Sequence, residues 1–308
     1  MSKPLRIATR ASELARWQAE HVATRLRAAH PDLKTELVPL TTRGDTIQDR
    51  ALSQVGGKGL FTKELERALL ADSADIAVHS MKDVPVELPA DFMLAAVLER
   101  HDPRDAFIST RFASIAELPQ GARVGTASLR RQAQIKLRRP DIDIGLLRGN
   151  VQTRLGKLEA CMFDAIILAA AGLQRLGWEE RITAYMSVEE SLPAIGQGAL
   201  GIECLKTSKQ TQALCAILNH SPSAICLEAE RALNRRLHGG CDVPLAGFAQ
   251  LDDAGTTLSL RGLVASPDGE RVARASASGS AAEPEALGLQ VADLLLAEGA
   301  GDILAALQ

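Results

Sequence analysis

Residues 238–246 read H-G-G-C-D-V-P-L-A, which sets Cys241 on a two-glycine turn ahead of a strand. Glycine tolerates positive φ and close approach by a second group, so Gly239 and Gly240 can present a thiol to a ligand. A buried, inert cysteine beside a tight turn is the competing reading, because free cysteine is among the most buried residue types. A second set of reactive side chains recurs where apolar runs end: Arg10 and Ser12; Ser80, Lys82 and Asp83; Thr126, Ser128, Arg130 and Arg131; Arg148 and Arg154. Arginine forks and helix N-termini suit carboxylates and phosphates, so these loops point to a ligand with several anionic groups. Asp83 is the odd member. A carboxylate there repels such a ligand unless the reaction develops positive charge or moves a proton, or unless it simply pairs with Lys82 or a nearby arginine.

Positioning these loops falls to alternating strands and helices. Short aliphatic runs alternate with helical patterns over the first two thirds, which predicts α/β units with mainly parallel strands. A strand from Ile7 leads to Ser12, which caps a helix with Leu14, Trp17, Val22 and Leu26 on one side. Glu36 to Leu40 resumes extended structure, residues 60–70 have helical spacing, and Ile76 to Val78 reads as a strand. The charged stretch Glu99 to Pro103 marks a boundary to a second α/β unit. Strands there precede Ser128 and Arg148, Asp164 to Leu168 supplies a third, and the glycine-spaced Pro193 to Gly198 returns the chain toward the first unit. In open α/β sheets ligands bind beyond the carboxyl ends of strands, so the polar loops form one candidate site. After Asn219 the pattern becomes a helix and three strands with turns at Asp253–Gly255 and Pro267–Gly269, then a last helix with Leu287, Val291, Leu294 and Leu295. The division expected is 1–98 with 199–216, then 104–192, then a small α+β domain over 221–308.

Composition narrows the functional classes. Of 308 residues 46% are hydrophobic and 24% charged, the balance of a soluble globular chain, and no apolar run approaches a membrane span. Aromatics are 3% and the net charge is -3, which argues against base stacking and a basic field for nucleic acid. Of the 35 basic residues 26 are arginine, an excess that suits anion forks as well as exposed helix faces. Cys161, Cys204, Cys215, Cys226 and Cys241 have neither C-x-x-C pairing nor metal spacing, so neither disulfides nor a metal is expected and the first four are assigned to packing. With no signal-like segment at the start, a cytoplasmic setting is expected. Gly56-Gly57-Lys58-Gly59 evokes a phosphate loop, but Leu52 stands where the first glycine belongs and Gly59 replaces the hydroxyl residue. A Cys–His hydrolase is also weak, since neither His79 nor His238 is visibly paired with Cys241.

Six segments carry a resemblance: L-R-I-A-T-R from Leu5, G-G-K-G-L-F from Gly56, D-I-A-V-H-S-M-K-D-V-P from Asp75, G-T-A-S-L-R-R from Gly125, L-R-G-N-V from Leu147 and G-G-C-D-V-P from Gly239. Their order and spacing closely resemble the hydroxymethylbilane synthase (porphobilinogen deaminase) family. The resemblance implies two periplasmic-binding-protein-like α/β lobes joined by a hinge, plus a C-terminal α+β domain with a three-stranded antiparallel sheet. It implies a dipyrromethane primer held by a thioether to Cys241 and kept through turnover. Four porphobilinogen units are then deaminated and joined head to tail, and hydrolysis releases the linear tetrapyrrole.

Residue by residue, the resemblance gives the primer to Cys241, Ser80, Lys82, Thr126, Ser128 and Arg130, with Arg131, Arg148 and Gln197. Substrate carboxylates fall to Arg10, Ser12, Lys58, Arg148, Arg154 and Arg175. Asp83 is the catalytic group, facing the azafulvenium-like cation left by ammonia. Arg231, Arg235, Arg236 and His238 are near enough in sequence to lower the Cys241 pKa. Gln54, Ala127 and Asp242 depart from the family's usual residues. A monomer and no nucleic-acid or membrane partner are expected. Two other classes fit the residues: a hinged solute-binding protein for a polycarboxylate, and a thiol-dependent acyl transferase, whose thioester, unlike a thioether, is base-labile.

Overall fold

Residues 3–47, 59–239 and 243–307 are described by the structure, a computed structural model. Gln54, Lys58, Gly240, Cys241 and Asp242 lie outside the described residues. The chain divides into two compact units: 3–47, 59–101 and 199–224 in the first, and 102–198, 225–239 and 243–307 in the second. Each of the three ranges expected from sequence contains one sheet, but the second and, from Ile225 onward, the third fall in one unit.

In the first unit β1 (Leu5–Arg10), β2 (Thr35–Leu40), β3 (Ile76–Ser80) and β4 (Phe92–Val97) share a sheet with a later strand, β10 (Leu200–Leu205). The order is β2-β1-β3-β10-β4. Pairing is parallel for β1 with β2 and β3, and antiparallel for β10 with β3 and β4. Successive residues serve opposite faces, as the pleat requires. Ile7, Ile76 and Ile202 join Val22 and Leu26 of the helix Glu13–Ala29, whereas Ala8 and Ala77 join Leu65 and Leu69 of the helix Lys63–Leu70. Leu14 and Trp17 are only half-buried; the inward face of the first helix is Ala15, Gln18, Ala19, Val22, Ala23 and Leu26.

The second unit repeats that plan. Its strands β5 (Asp105–Ile108), β6 (Arg123–Thr126), β7 (Asp143–Leu146), β8 (Ala165–Ala169) and β9 (Ala184–Met186) are ordered β7-β6-β8-β5-β9. β6 runs parallel to β7 and β8, and β5 is antiparallel to β8 and β9. In each sheet the single reversed strand, β5 or β10, is the first strand after the chain crosses from the other unit. Mainly parallel sheets were expected; the reversed strand in each is the addition. The carboxyl ends of β1 and β3 therefore share one sheet edge, and those of β6, β7 and β8 another.

The same unit holds the antiparallel sheet β11 (Leu245–Leu251), β12 (Thr257–Ala265) and β13 (Val272–Ser280). One face packs Leu258, Leu260 and Val264 on Leu233, Val291 and Leu295 of the helices Ser221–Arg236 and Pro284–Ala297. The other packs Leu263 and Ala265 on Ala133 and Leu192. The β12–β13 turn needs glycine at 269, where φ is 78° and an added Cβ would meet the Leu137 backbone nitrogen at 2.5 Å. Among the described residues no helix is long and apolar enough to cross a membrane.

Candidate active site

In the first unit, Arg10 closes β1 and Ser12 caps the following helix, its Oγ accepting from the Ala15 N–H at 3.4 Å. Ser80 closes β3 and runs into a 3-10 turn, Met81–Asp83. Met81 is 1% exposed and its N–H donates to the Ala199 carbonyl at 3.0 Å, so the turn is anchored from beneath while Lys82 and Asp83 remain half-buried. Ser80 shares hydrogen bonds with the buried Gln18 amide. Arg10 lies 3.7 Å from an Asp83 oxygen, stacks 4.2 Å over the Phe61 ring and binds Asp45 through Nε and Nη2. Burial would raise the Asp45 pKa, but Arg10 and Thr42 outweigh it and hold the carboxyl low. Asp83 is thus a partly open carboxylate with an ionic neighbour beyond hydrogen-bond distance. His79 is committed elsewhere: its Nε2 meets Glu203 Oε2 at 2.8 Å, both side chains buried.

In the second unit, Thr126 ends β6 and accepts from the Ser128 N–H at 3.1 Å, while Ser128 accepts from the Arg131 N–H as cap of the helix Leu129–Arg138. Asn150 likewise caps the helix Val151–Glu159. Each such cap is worth ~1 kcal/mol. The capping geometry brings Arg130, Arg131 and Arg148 to the strand ends, 3%, 6% and 5% exposed. Arg154 donates from Nε to the Gly149 carbonyl at 2.8 Å. Arg130 and Arg131 both grip Asp105, a fully buried residue two positions beyond the boundary stretch Glu99 to Pro103. Burial alone would raise the Asp105 pKa; the two arginine charges, with hydrogen bonds from Arg131 and Ser191, reverse that and hold it well below the usual range. Gln197 also reaches Asp105, at 3.0 Å, and the Pro103 carbonyl.

Arg175 ends the short helix after β8 and is 5% exposed. Its Nη2 donates to the Gly198 carbonyl at 2.7 Å, its Nε is buried with no acceptor, and no carboxylate lies within ion-pair reach among the described residues. Burial pushes this guanidinium down to about 10. Its folded pKa lies below the unfolded one, so the cost of burying the cation is present at neutral pH and is relieved only as pH rises through about 10. We predict that Arg175→Met raises the melting temperature by roughly 2–4 °C, about 1 kcal/mol net after loss of the Gly198 bond, while weakening anion binding. A melting temperature several degrees lower would show that the charge is already compensated.

The helix Ser221–Arg236 leads toward Cys241 and ends in a Schellman motif. Gly239 N–H donates to the Asn234 carbonyl at 3.0 Å and His238 N–H to that of Arg235 at 3.1 Å. The left-handed position, φ 50°, is taken by His238 and not by a glycine. Gly239 leaves little space: an added Cβ would sit 2.1 Å from Asn234 Oδ1 and 2.7 Å from Leu245 Cδ2, so both side chains would have to shift. Of the cations expected to tune the thiol, Arg235 pairs with Glu285 and Arg236 with Asp293, both on the helix Pro284–Ala297. Arg231 is pushed down to about 10 by burial and by Arg235. Cys204, Cys215 and Cys226 are buried as expected, but Cys161 is exposed at φ 56°. It falls just beyond the helix Val151–Glu159, where the apolar periodicity has already stopped.

Two family models match the chain: "Porphobilinogen deaminase, dipyromethane cofactor binding domain" over residues 5–213 and "Porphobilinogen deaminase, C-terminal domain" over 224–297. Among solved structures, the chain is similar to a putative methionine-binding lipoprotein from Bacillus subtilis, at 11% identity and TM-score 0.44, covering 71% of this chain and 91% of that one. It is similar also to a periplasmic substrate-binding protein of an ABC transporter from Coxiella burnetii, at 11% identity and TM-score 0.44, covering 72% and 94%. A third is the periplasmic aliphatic sulphonate binding protein from Escherichia coli, at 12% identity and TM-score 0.41, covering 77% and 71%.

Proposed function

Because the chain belongs to the porphobilinogen deaminase family, we propose that it deaminates porphobilinogen and joins four molecules head to tail into hydroxymethylbilane, releasing four ammonia. The observation that carries this is the match of both family models, in order, over nearly the whole chain. The residues suit a dipyrromethane primer: its rings bear acetate and propionate groups, and Arg130 and Arg175 each hold a buried Nε–H without a protein acceptor. Ser80, Lys82, Thr126, Ser128, Arg130, Arg131, Arg148 and Gln197 would hold the primer, with Cys241 as its thioether anchor. When bound, the primer supplies the pyrrole on which the chain is built.

Arg10, Ser12, Lys58, Arg148, Arg154 and Arg175 are assigned to substrate carboxylates. A charge-assisted hydrogen bond contributes roughly 1.5–3 kcal/mol, so a few suffice to seat each ring. Asp83 has the complementary task. Loss of ammonia from the aminomethyl carbon leaves positive charge shared with the pyrrole nitrogen, and the Asp83 carboxylate accepts that N–H and stabilises the cation. It can also take the proton released at the carbon that forms the new bond. The anchoring of Met81 fixes Asp83 for both steps.

The three-domain division, a monomeric state and a cytoplasmic setting belong to the same reading. Incubation with porphobilinogen should release one ammonia per molecule consumed and give a product that oxidises to a porphyrin. Stoichiometric binding without consumption would instead leave a solute-binding protein.

A further inference from the structure

We infer that Asp105 is a positioning residue of this site: an internal carboxylate that fixes the forks of Arg130 and Arg131 and cancels one of their two charges, leaving the pair suited to one ligand carboxylate. The inference rests on the polycarboxylate reading above and names a residue outside that site.

The geometry is that of a fully committed acceptor. Asp105 opens β5 with no exposed surface. Its oxygens take Arg130 Nη2 at 2.8 and 3.1 Å, Arg131 Nε at 3.0 and Nη2 at 2.7 Å, Ser191 Oγ at 2.7 Å and Gln197 Nε2 at 3.0 Å. The arginines spend their remaining arms on the backbone: Arg131 Nη1 on the Ile167 carbonyl at 3.0 Å, and Arg130 Nη1 on that of Leu192 at 2.6 Å. Neither fork can swing without breaking several bonds.

Charge separates this arrangement from an ordinary buried ion pair. A pair kept for structure balances one cation with one anion, because an uncompensated buried charge is costly. Here two guanidiniums share one carboxylate, so the cluster keeps a net positive charge, and Arg130 Nε is buried without an acceptor. That excess is what an incoming carboxylate would complete. Asp105 stands near where the chain enters this unit and Gln197 where it leaves, and the two are joined by a hydrogen bond.

The test uses the full chain with sulfate as probe anion, followed by sulfate-dependent melting and by kcat and KM for porphobilinogen. Asp105→Asn should shift the sulfate midpoint about tenfold lower, since the pair regains its second charge, and should cut kcat/KM at least tenfold. A purely structural Asp105 would lower the melting temperature and leave the midpoint in place, which overturns the inference. Asp105→Glu covers the case in which the asparagine variant does not fold. It keeps the charge but displaces the forks, so the midpoint should hold while KM rises about tenfold; wild-type kcat and KM in that variant would refute the positioning role. Absence of ammonia release by the unmodified chain would defeat the functional reading separately, because the sulfate midpoint is measured without turnover.

Discussion

Asp83→Asn is expected to fold normally and to lose roughly 10²–10⁴-fold in turnover, the range set by removing one general acid–base group or one preorganised charge. Folding should survive because the Asp83 side chain is 29% exposed and its ionic neighbour, Arg10, is 3.7 Å away. Arg10 keeps its bonds to Asp45 and its place over Phe61, so the substitution leaves no stranded cation. A partly exposed pair of this kind is worth about 0–1 kcal/mol once solvent screening is allowed for. Asparagine preserves shape and one carbonyl oxygen, yet supplies neither negative charge against the developing pyrrole cation nor a base. The loss should therefore appear in kcat with little change in KM. Ammonia release in a single turnover, beside circular dichroism and melting of the same sample, checks the result. Near-normal turnover in a folded variant would remove Asp83 from the chemistry.

The loops that carry Asp83 and the arginines were legible because they share a local signature, an apolar run ending in a polar, cap-forming residue. Ser12, Ser128 and Asn150 all become helix caps, and Arg10, Ser80 and Thr126 all close parallel strands. Asp105 carried no such mark. Its charge-rich neighbourhood reads as a boundary, and its partners stand 25, 26, 86 and 92 residues away, beyond any periodicity. The pairing of His79 with Glu203, 124 residues apart, was hidden for the same reason. Strand direction was also silent: aliphatic runs such as β5 and β10 look alike in either orientation, and only the crossings between units reverse them. The tuning role expected of Arg235 and Arg236 rested on sequence proximity to Cys241. Their ion pairs with Glu285 and Asp293, some fifty residues later, were not legible from that proximity.

Cys241→Ser should yield a protein whose intact denatured mass lacks two deaminated pyrrole units present in the unmodified chain, and which no longer colours with Ehrlich reagent. A thioether forms only from a thiolate, and a serine hydroxyl at neutral pH offers no comparable nucleophile. The other thiols bound the alternatives. Cys215 is pushed up to about 12, chiefly by burial, and burial raises Cys204 as well, so both stay protonated inside the first unit. Cys226 is buried in the core under β12, which leaves the exposed Cys161 as the thiol best able to compete. Cys161 sits in a turn after the helix Val151–Glu159, with its Sγ directed at the Glu159 carbonyl at 3.8 Å. Excess mass surviving Cys241→Ser but lost in Cys161→Ser would move the anchor to Cys161 and overturn the assignment. Loss in Cys241→Ser alone, with Cys161→Ser still loaded and active, would tie both the primer and the turnover it supports to Cys241.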